Sequence, residues 1–272
     1  MPFRLAAFAD EISADIQVQM DYLLEAGIVL CALRGANGKD ALEFEDFQVP
    51  IMKKQFQNRK ISFACYSSPL GRTSVNEPFE PELERFKLAC KRAKQFDTRV
   101  LGLSSFRLPE GDDPAVHRDE VLRRLKALAE QANAEGCKLL LENEPAAYGN
   151  CGERCAELFK ALKASNMMCA FDFADFVQAG EDPWTAWQAL KPWVKDFRLK
   201  DLAPDGAAAL PGQGAGKIQE ILADAFANRW AGLLTVAPQL DRLPEMEGRS
   251  NGERFLAAVS AAKELLKTVG AA

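Results

Sequence analysis

Histidine is almost missing from this sequence, in which His117 is the only one among 272 residues. Zinc sites and multinuclear metal centres usually draw several of their ligands from histidine. His117 also falls at the start of a predicted surface helix, away from the ends of the predicted strands. The sequence therefore argues against a histidine-rich metal centre, and we expect His117 to be a surface residue.

Long apolar runs and an excess of basic residues are missing as well. No segment approaches the roughly 20 apolar residues that span a bilayer. Arg4, Asp10 and Glu11 introduce charge too early for the apolar stretch of a signal peptide. The 34 basic residues are outnumbered by 39 acidic ones, for a net charge of −5, which disfavours a polyanion partner. We expect a cytoplasmic protein with no membrane partner and no nucleic-acid partner.

The seven cysteines form no disulfide framework, because their number is odd and their spacing irregular. Cys151 and Cys155 are one helical turn apart and could hold a metal, but no further ligand is near, so packing is the favoured role. Four other cysteines fall inside predicted strands or, for Cys137, directly before one, where a reduced thiol behaves as a small apolar side chain: Cys31, Cys65, Cys137 and Cys169. Cysteines that serve as packing residues and not as disulfides indicate a reducing environment.

Strand-like and helix-like segments alternate along the whole chain. The predicted strands are residues 3–9, 28–34, 61–67, 100–106, 138–142, 168–173, 194–200 and 233–237. The predicted helices are residues 15–26, 81–96, 118–134, 153–164, 183–190, 216–228 and 252–269, with a weaker one at 45–58 that Pro50 interrupts. This alternation favours a parallel sheet. We predict a single-domain α/β protein, a (β/α)₈ TIM barrel over residues 1–272, because closing eight short strands leaves no exposed edge.

Acidic residues stand where two of the later predicted strands end. The segment LLLENE contains Glu142, and the segment AFDFADF contains Asp172. Because the carboxyl ends of barrel strands face one active-site cavity, we expect these side chains to meet there. Two further segments of similar form, DFRLKD and TVAPQL, place Arg198 and Ala237 at the corresponding positions.

Segments spread in order over nearly the whole chain resemble the xylose isomerase-like TIM barrels, a superfamily of sugar isomerases and epimerases that also includes endonuclease IV. The matching segments are FADEIS, LRGANGKD, SSPLGR, EPFEPELERFK, RDEVLRRL, LLLENEPAAYG, FDFADFVQAGEDP, FRLKD and PGQGAGK. The resemblance implies carbohydrate metabolism as the context of the protein. Endonuclease-type chemistry is disfavoured, because its trinuclear metal centre needs several histidines.

The resemblance also implies one divalent metal held by Glu, Asp, His and a second Glu from successive strands. The first two ligands correspond to Glu142 and Asp172. Arg198 stands in place of the His and Ala237 in place of the second Glu, while Gln239 stands where another His is common. The chain therefore resembles a divergent member that lacks two of four ligands. Two carboxylates hold Mg²⁺ or Mn²⁺ only weakly, and we expect that the site works without a metal.

Sugar isomerisation requires removal of a proton next to a carbonyl and stabilisation of the resulting enediolate. We expect Glu142 to be the base or a residual metal ligand, Asp172 its partner, and Arg198 or Lys200 the electrophile. Arg198 and Lys200 are two residues apart on one predicted strand, so their side chains lie on the same face of the sheet. Both should therefore point into the barrel mouth. A guanidinium cannot be deprotonated, so we expect Arg198, with Lys200, to bind the two carboxylates in place of a metal.

Other polar residues near predicted strand ends are candidates for substrate binding: Glu11, Arg34, Arg72, Glu144, Asp175 and Asp201. Structural alternatives remain open, since Arg34 could pair with a neighbouring acid and Asp201 could cap a loop or helix. The segment GQGAGK could offer backbone N–H groups to a phosphate. It lacks the Ser or Thr of a Walker loop, so a tight turn into the next helix is favoured.

Three functional hypotheses follow from these residues. The favoured one is a sugar isomerase or epimerase that acts on a small carbohydrate or sugar acid. The second is a non-catalytic sugar-binding or regulatory barrel that kept the pocket. The third is a lyase such as a dehydratase or an aldolase, in which Lys200 could form an imine if burial lowered its pKa. The resemblance further implies a homo-oligomer.

Overall fold

Eight parallel strands form a closed barrel in which each strand pairs with the next along the chain and the last pairs with the first. The computed structural model describes residues 3–270, apart from the side chain of Glu245. The strands are β1 (Phe3–Phe8), β2 (Leu30–Leu33), β3 (Ser62–Ser67), β4 (Val100–Leu103), β5 (Lys138–Glu142), β6 (Met167–Asp172), β7 (Val194–Leu199) and β8 (Gly232–Val236). The predicted (β/α)₈ barrel is confirmed.

Helices surround the barrel and cover the outer faces of its strands, which explains why strands such as β2 (LCAL) are apolar on both faces. The helices are α1 (Ile16–Glu25), α2 (Gln48–Asn58), α3 (Glu80–Gln95), α4 (Pro114–Ala134), α5 (Gly152–Leu162), α6 (Phe173–Gln178), α7 (Pro183–Leu190), α8 (Ile218–Ala227) and α9 (Asn251–Thr268). The weakly predicted helix is present as α2, because Pro50 falls in its first turn, where proline is tolerated.

Helix α6 was not predicted, because it begins directly where β6 ends and no loop separates the two. The carboxylate of Asp172 accepts a hydrogen bond from the backbone N–H of Asp175, 2.9 Å away, and so caps the helix. This abrupt change of direction brings Asp175 back towards the barrel mouth.

Two short antiparallel strand pairs extend the loops on the carboxyl side of the barrel. Gly35–Ala36 pairs with Lys39–Asp40 after β2, and Asp201–Leu202 pairs with Ala208–Ala209 after β7. These pairs give regular backbone structure to the loops that follow β2 and β7.

His117 is less exposed than the sequence suggested. It lies in the first turn of α4, is about nine-tenths buried, and its Nε2 atom is 2.8 Å from Asp112 Oδ2. The prediction of a surface residue was wrong because the loop before α4 folds back over the imidazole. Of the cysteines, all but Cys151 are buried, as expected for packing residues. Within residues 3–270, no helix has the length and apolar content needed to span a membrane.

Candidate active site

A polar cavity of about 250 Å³ opens at the carboxyl ends of the barrel strands. Eight of the predicted site residues line it: Glu11, Arg34, Arg72, Glu142, Glu144, Asp172, Asp175 and Lys200. Ala237 and Gln239 also lie there, as do Phe8 and Ser67, which sequence reasoning missed. Phe8 and Ser67 end β1 and β3, so their positions at strand ends were the available signal.

Arg198 lies beneath this cavity and does not line it. Its side chain is fully buried, and its Nε atom donates a hydrogen bond to Glu142 Oε2 at 3.2 Å. The guanidinium also lies over the ring of Phe8, 4.9 Å from its centroid. The ion pair expected between Arg198 and Glu142 is therefore present. The expectation that Arg198 reaches the barrel mouth was wrong, because Phe8 and Glu142 stand between it and the cavity.

Lys200 follows β7 directly and does reach the cavity. Its Nζ atom lies 3.1 Å from Asp172 Oδ2 and 2.5 Å from Asp175 Oδ1. Burial by itself lowers the pKa of the Lys200 ammonium, but the two carboxylates outweigh burial and raise the pKa above its usual range. Lys200 therefore stays protonated near neutral pH, and the condition for imine formation is not met.

The carboxyl groups in the cavity have pKa values shifted in opposite directions. Burial by itself raises the pKa of Glu142, but the Arg198 guanidinium, with help from Arg72 and Lys200, holds it below its usual value. Burial and repulsion from Asp175 raise the pKa of Asp172 to about 8, despite the attraction of Lys200. Near neutral pH, Glu142 is ionised while Asp172 and Asp175 share a proton between them, since two close carboxyls titrate as a pair.

Arg34 and Arg72 both line the cavity, and each is paired with acidic residues. Arg72 Nε lies 2.6 Å from Glu144 Oε1, and Arg34 contacts Asp10 at 2.7 Å and Glu11 at 2.9 Å. Each guanidinium retains N–H groups beyond those that contact its acidic partner. The salt bridge proposed as the alternative role of Arg34 is present, and it does not prevent Arg34 from contacting a ligand.

The loop that carries Arg72 is held tightly against the segment after β4. The backbone N–H of Phe106 donates to Gly71 O at 2.7 Å, and that of Arg107 donates to Thr73 O at 3.0 Å. Gly71 has a φ of +67°, and a Cβ atom there would lie 2.1 Å from Ser104 O. Glycine is required at this position, and the loop presents Arg72 from a fixed backbone.

Asp201, predicted to bind substrate, lies outside the cavity. Its buried carboxylate accepts backbone N–H groups from Gly212, Gly214 and Gly216 at 2.9–3.1 Å, and one from Leu202 at 3.0 Å. Asp201 therefore holds the glycine-rich loop in place, which corresponds to the structural alternative. These N–H groups are satisfied within the chain, so GQGAGK offers no phosphate site through them.

The donors at the barrel mouth do not fit a divalent metal. Of the two expected ligands, Glu142 is bound to Arg198 and Asp172 to Lys200. Across residues 3–270, no group of three or more His, Cys, Asp and Glu side chains has an arrangement suited to a metal ion. A dication would have to displace fixed positive charges that already neutralise these carboxylates.

The model of the xylose isomerase-like TIM barrel family matches residues 21–259, and the chain belongs to that family. A 3-dehydroshikimate dehydratase of Bacillus anthracis is 22% identical over 130 residues, which are 48% of this chain and 46% of that protein. The chain thus matches about half the length of this curated relative.

Solved structures share the fold over nearly their full length. A probable 3-DHS dehydratase of Bacillus anthracis has a TM-score of 0.77 at 16% identity, covering 96% of this chain and 98% of that chain. The IolI protein with a bound zinc atom has a TM-score of 0.79 at 16% identity, with 97% and 98% covered. A D-tagatose 3-epimerase-like protein has a TM-score of 0.77 at 15% identity, with 98% of each chain covered.

Proposed function

We propose that this protein is an enzyme that moves a proton next to the carbonyl group of a small carbohydrate or sugar acid, as sugar isomerases and epimerases do. The observation that carries the proposal is the pairing of two carboxyl groups with cations at one cavity, Glu142 with Arg198 and Asp172 with Lys200. Arg198 holds the pKa of Glu142 below its usual value, and burial with Asp175 raises the pKa of Asp172 to about 8, which suits Glu142 to the role of base and Asp172 to that of acid. The cavity volume of about 250 Å³ suits a ligand of monosaccharide size.

Glu142 accepts the proton from the carbon next to the carbonyl. The negative charge then develops on the carbonyl oxygen, and the Lys200 ammonium stabilises it, since a fixed cation acts strongly in a cavity shielded from water. The proton shared by Asp172 and Asp175 is available for the same oxygen. Arg198 is buried below Glu142, so it holds the base in position and does not contact the substrate.

This mechanism contains no step through a metal, because the residues that relatives would use are paired with Arg198 and Lys200. Lys200 supplies the positive charge at the enediolate oxygen. The zinc atom of the IolI structure belongs to that protein, and its presence there makes a metal titration of this chain worthwhile.

A dehydratase is the second candidate, because a curated relative and a solved structure are both described as 3-dehydroshikimate dehydratases. Dehydration of a β-hydroxy carbonyl compound begins with the same proton abstraction. The enolate then expels the hydroxyl group, which the protonated Asp172 can assist as a general acid. The two candidates therefore differ only after the first step.

The test is incubation of the protein in D₂O with a panel of ketoses, aldoses, sugar acids and β-hydroxy carbonyl acids, followed by proton NMR. We expect the signal of the proton next to the carbonyl to disappear as deuterium enters. Glu142→Gln serves as the inactive control. An isomer or epimer as product supports the first candidate, and an unsaturated product supports the second. Thermal stabilisation by a ligand without any exchange would instead support a binding protein and refute both.

A further inference from the structure

A second cavity opens at the amino ends of the barrel strands, at the opposite end of the barrel from the candidate active site. This amino-end cavity has a volume of about 500 Å³, and its wall includes Arg4, Ala64, Lys138, Leu140, Met168 and Leu233. It shares no lining residue with the cavity at the carboxyl ends. Barrel enzymes carry out their chemistry at the carboxyl ends, so the amino-end cavity is separate from the site described above.

The floor of the amino-end cavity is apolar. Leu140 is buried on the interior face of β5, since it alternates with Glu142, two residues further along the strand. Ala64 of β3 and Leu233 of β8 belong to one small apolar cluster inside the barrel. Met168 of β6 is only partly buried, and its flexible thioether side chain adapts to the shape of an apolar ligand. An apolar group bound here would remove this surface from water.

Arg4 and Lys138 add positive charge at two sides of that floor. Arg4 alternates with Ala6 of the same apolar cluster, and Lys138 alternates with Leu140, so both side chains start on the interior face of their strands. The strands β1 and β5 are four apart in a closed ring of eight, so the two cations approach the cavity from opposite walls. Both are exposed, and among residues 3–270 neither forms an ion pair.

Exposed cations without partners are ordinary on a protein surface, but their setting here is not. The chain has 39 acidic residues against 34 basic ones, yet none of the described side chains that line the amino-end cavity is acidic. The cavity therefore has a positive potential. The aliphatic stems of Arg and Lys lie along apolar surface while their charged ends stay accessible. An apolar concavity with a few polar groups around it is the usual composition of a ligand pocket.

We propose that the amino-end cavity binds a small organic anion with an apolar body, of the class that includes medium-chain fatty acids and alkyl sulfates. The acidic group lies between Arg4 and Lys138, where charge-assisted hydrogen bonds replace part of its water shell. The apolar body lies on Ala64, Leu140 and Met168, where its burial supplies most of the affinity. The proposal does not depend on the proposed function, because none of these residues takes part in it.

The first experiment is isothermal titration calorimetry of the full chain with hexanoate, octanoate, octyl sulfate, 1-octanol and inorganic phosphate. We expect octanoate and octyl sulfate to bind with one molecule per chain. Hexanoate should bind about tenfold more weakly than octanoate, because each buried methylene strengthens binding by about fourfold. Octanol lacks the charge and inorganic phosphate lacks the apolar body, so each should bind more weakly than octanoate by at least about tenfold.

The same titration with variants tests the two cations. Arg4→Gln combined with Lys138→Gln should weaken octanoate binding by about tenfold, since two exposed charge interactions contribute modestly each, and it should leave octanol binding unchanged. The control combines Lys54→Gln with Lys160→Gln, which removes the same charge from exposed positions on α2 and α5. That control should bind octanoate as the wild type does. Thermal unfolding shows whether each variant is folded.

The second experiment locates the ligand by NMR of protein labelled with ¹³C in the methionine methyl groups. The signal of Met168 is assigned from its loss in Met168→Leu. Octanoate should shift this signal, and it should leave the signals of Met20 and Met52, which are buried on α1 and α2, unchanged.

Three results would each overturn the proposal. Octanol and octanoate that bind equally well, or octanoate binding that is the same in the wild type and in the Arg4 and Lys138 variant, would show that the cations are only solvated surface residues. Binding that leaves the Met168 signal in place would put the anion elsewhere, such as beside Arg72 and Lys200. An absence of saturable octanoate binding would refute the site directly. If the double variant does not fold, the ligand series and the Met168 signal of the wild type decide.

Discussion

Replacement of Lys200 by methionine removes the ammonium group from the cavity wall and keeps a long unbranched side chain. In the wild type, Nζ lies 3.1 Å from Asp172 Oδ2 and 2.5 Å from Asp175 Oδ1, and only 12% of the side chain is exposed. Little water can therefore take the place of the lost charge. The two carboxylates left behind will take up protons, because the cation that opposed their protonation is gone.

The catalytic loss follows from the role of Lys200 at the developing oxyanion. Removal of one such preorganised donor costs about 10²–10³ in kcat, or roughly 2.7–4 kcal/mol. We expect kcat of Lys200→Met to fall by at least about 100-fold, with a much smaller change in KM, because the interaction is made mainly in the transition state. Lys195→Met is the matched control, since Lys195 lies on β7, the strand directly before Lys200, and its side chain is exposed.

The assay is the rate of deuterium exchange next to the carbonyl, on whichever substrate the panel identifies, measured as a function of substrate concentration. Thermal unfolding at the same pH shows whether each variant is folded. A folded Lys200→Met that keeps kcat within about tenfold of the wild type would refute Lys200 as the electrophile, since the predicted loss is larger than that. A loss of similar size in Lys195→Met would show that the effect is not local to the cavity.

Three further predictions concern stability and metal binding. Because the pKa of Asp172 is raised to about 8 from an ordinary 3.8, the folded state holds more protons than the unfolded state between these values. The stability from this group is thus complete below about pH 4 and is lost as pH approaches 8, and Asp172→Asn should flatten that decline in thermal scans. Asp201→Ala should destabilise the protein by about 3 kcal/mol or more in urea, because several buried N–H groups lose their acceptor; Asp205→Ala, at the exposed turn nearby, should change little. Chelation should leave exchange activity unchanged, and calorimetry with Mn²⁺ should detect no tight binding; a tight site abolished by Glu142→Gln would contradict the metal-free mechanism.

The fold could be predicted because its signal is repeated along the chain. Eight apolar segments separated by amphipathic ones lead to a parallel barrel whatever the details of each loop, and each predicted strand is present within three residues of its bounds. Helix α6 was missed because Asp172 ends a strand and caps a helix at the same time, so no turn residues separate the two elements. Local patterns give little warning of such a junction.

The sequence by itself determined the barrel, the family and the strand ends at which Glu142, Asp172 and Lys200 meet. It also led to the prediction that Arg198 and Ala237 stand in place of two expected metal ligands. Only the tertiary structure decided how deep in the barrel each side chain lies. The alternation of side chains along a strand assigns each one to a face of the sheet, but it does not give its level along the barrel axis. Level depends on the register between neighbouring strands, where Arg198 lies beside Asp172 on one side and Thr235 on the other. That register buries Arg198 below the cavity and leaves Lys200 in it.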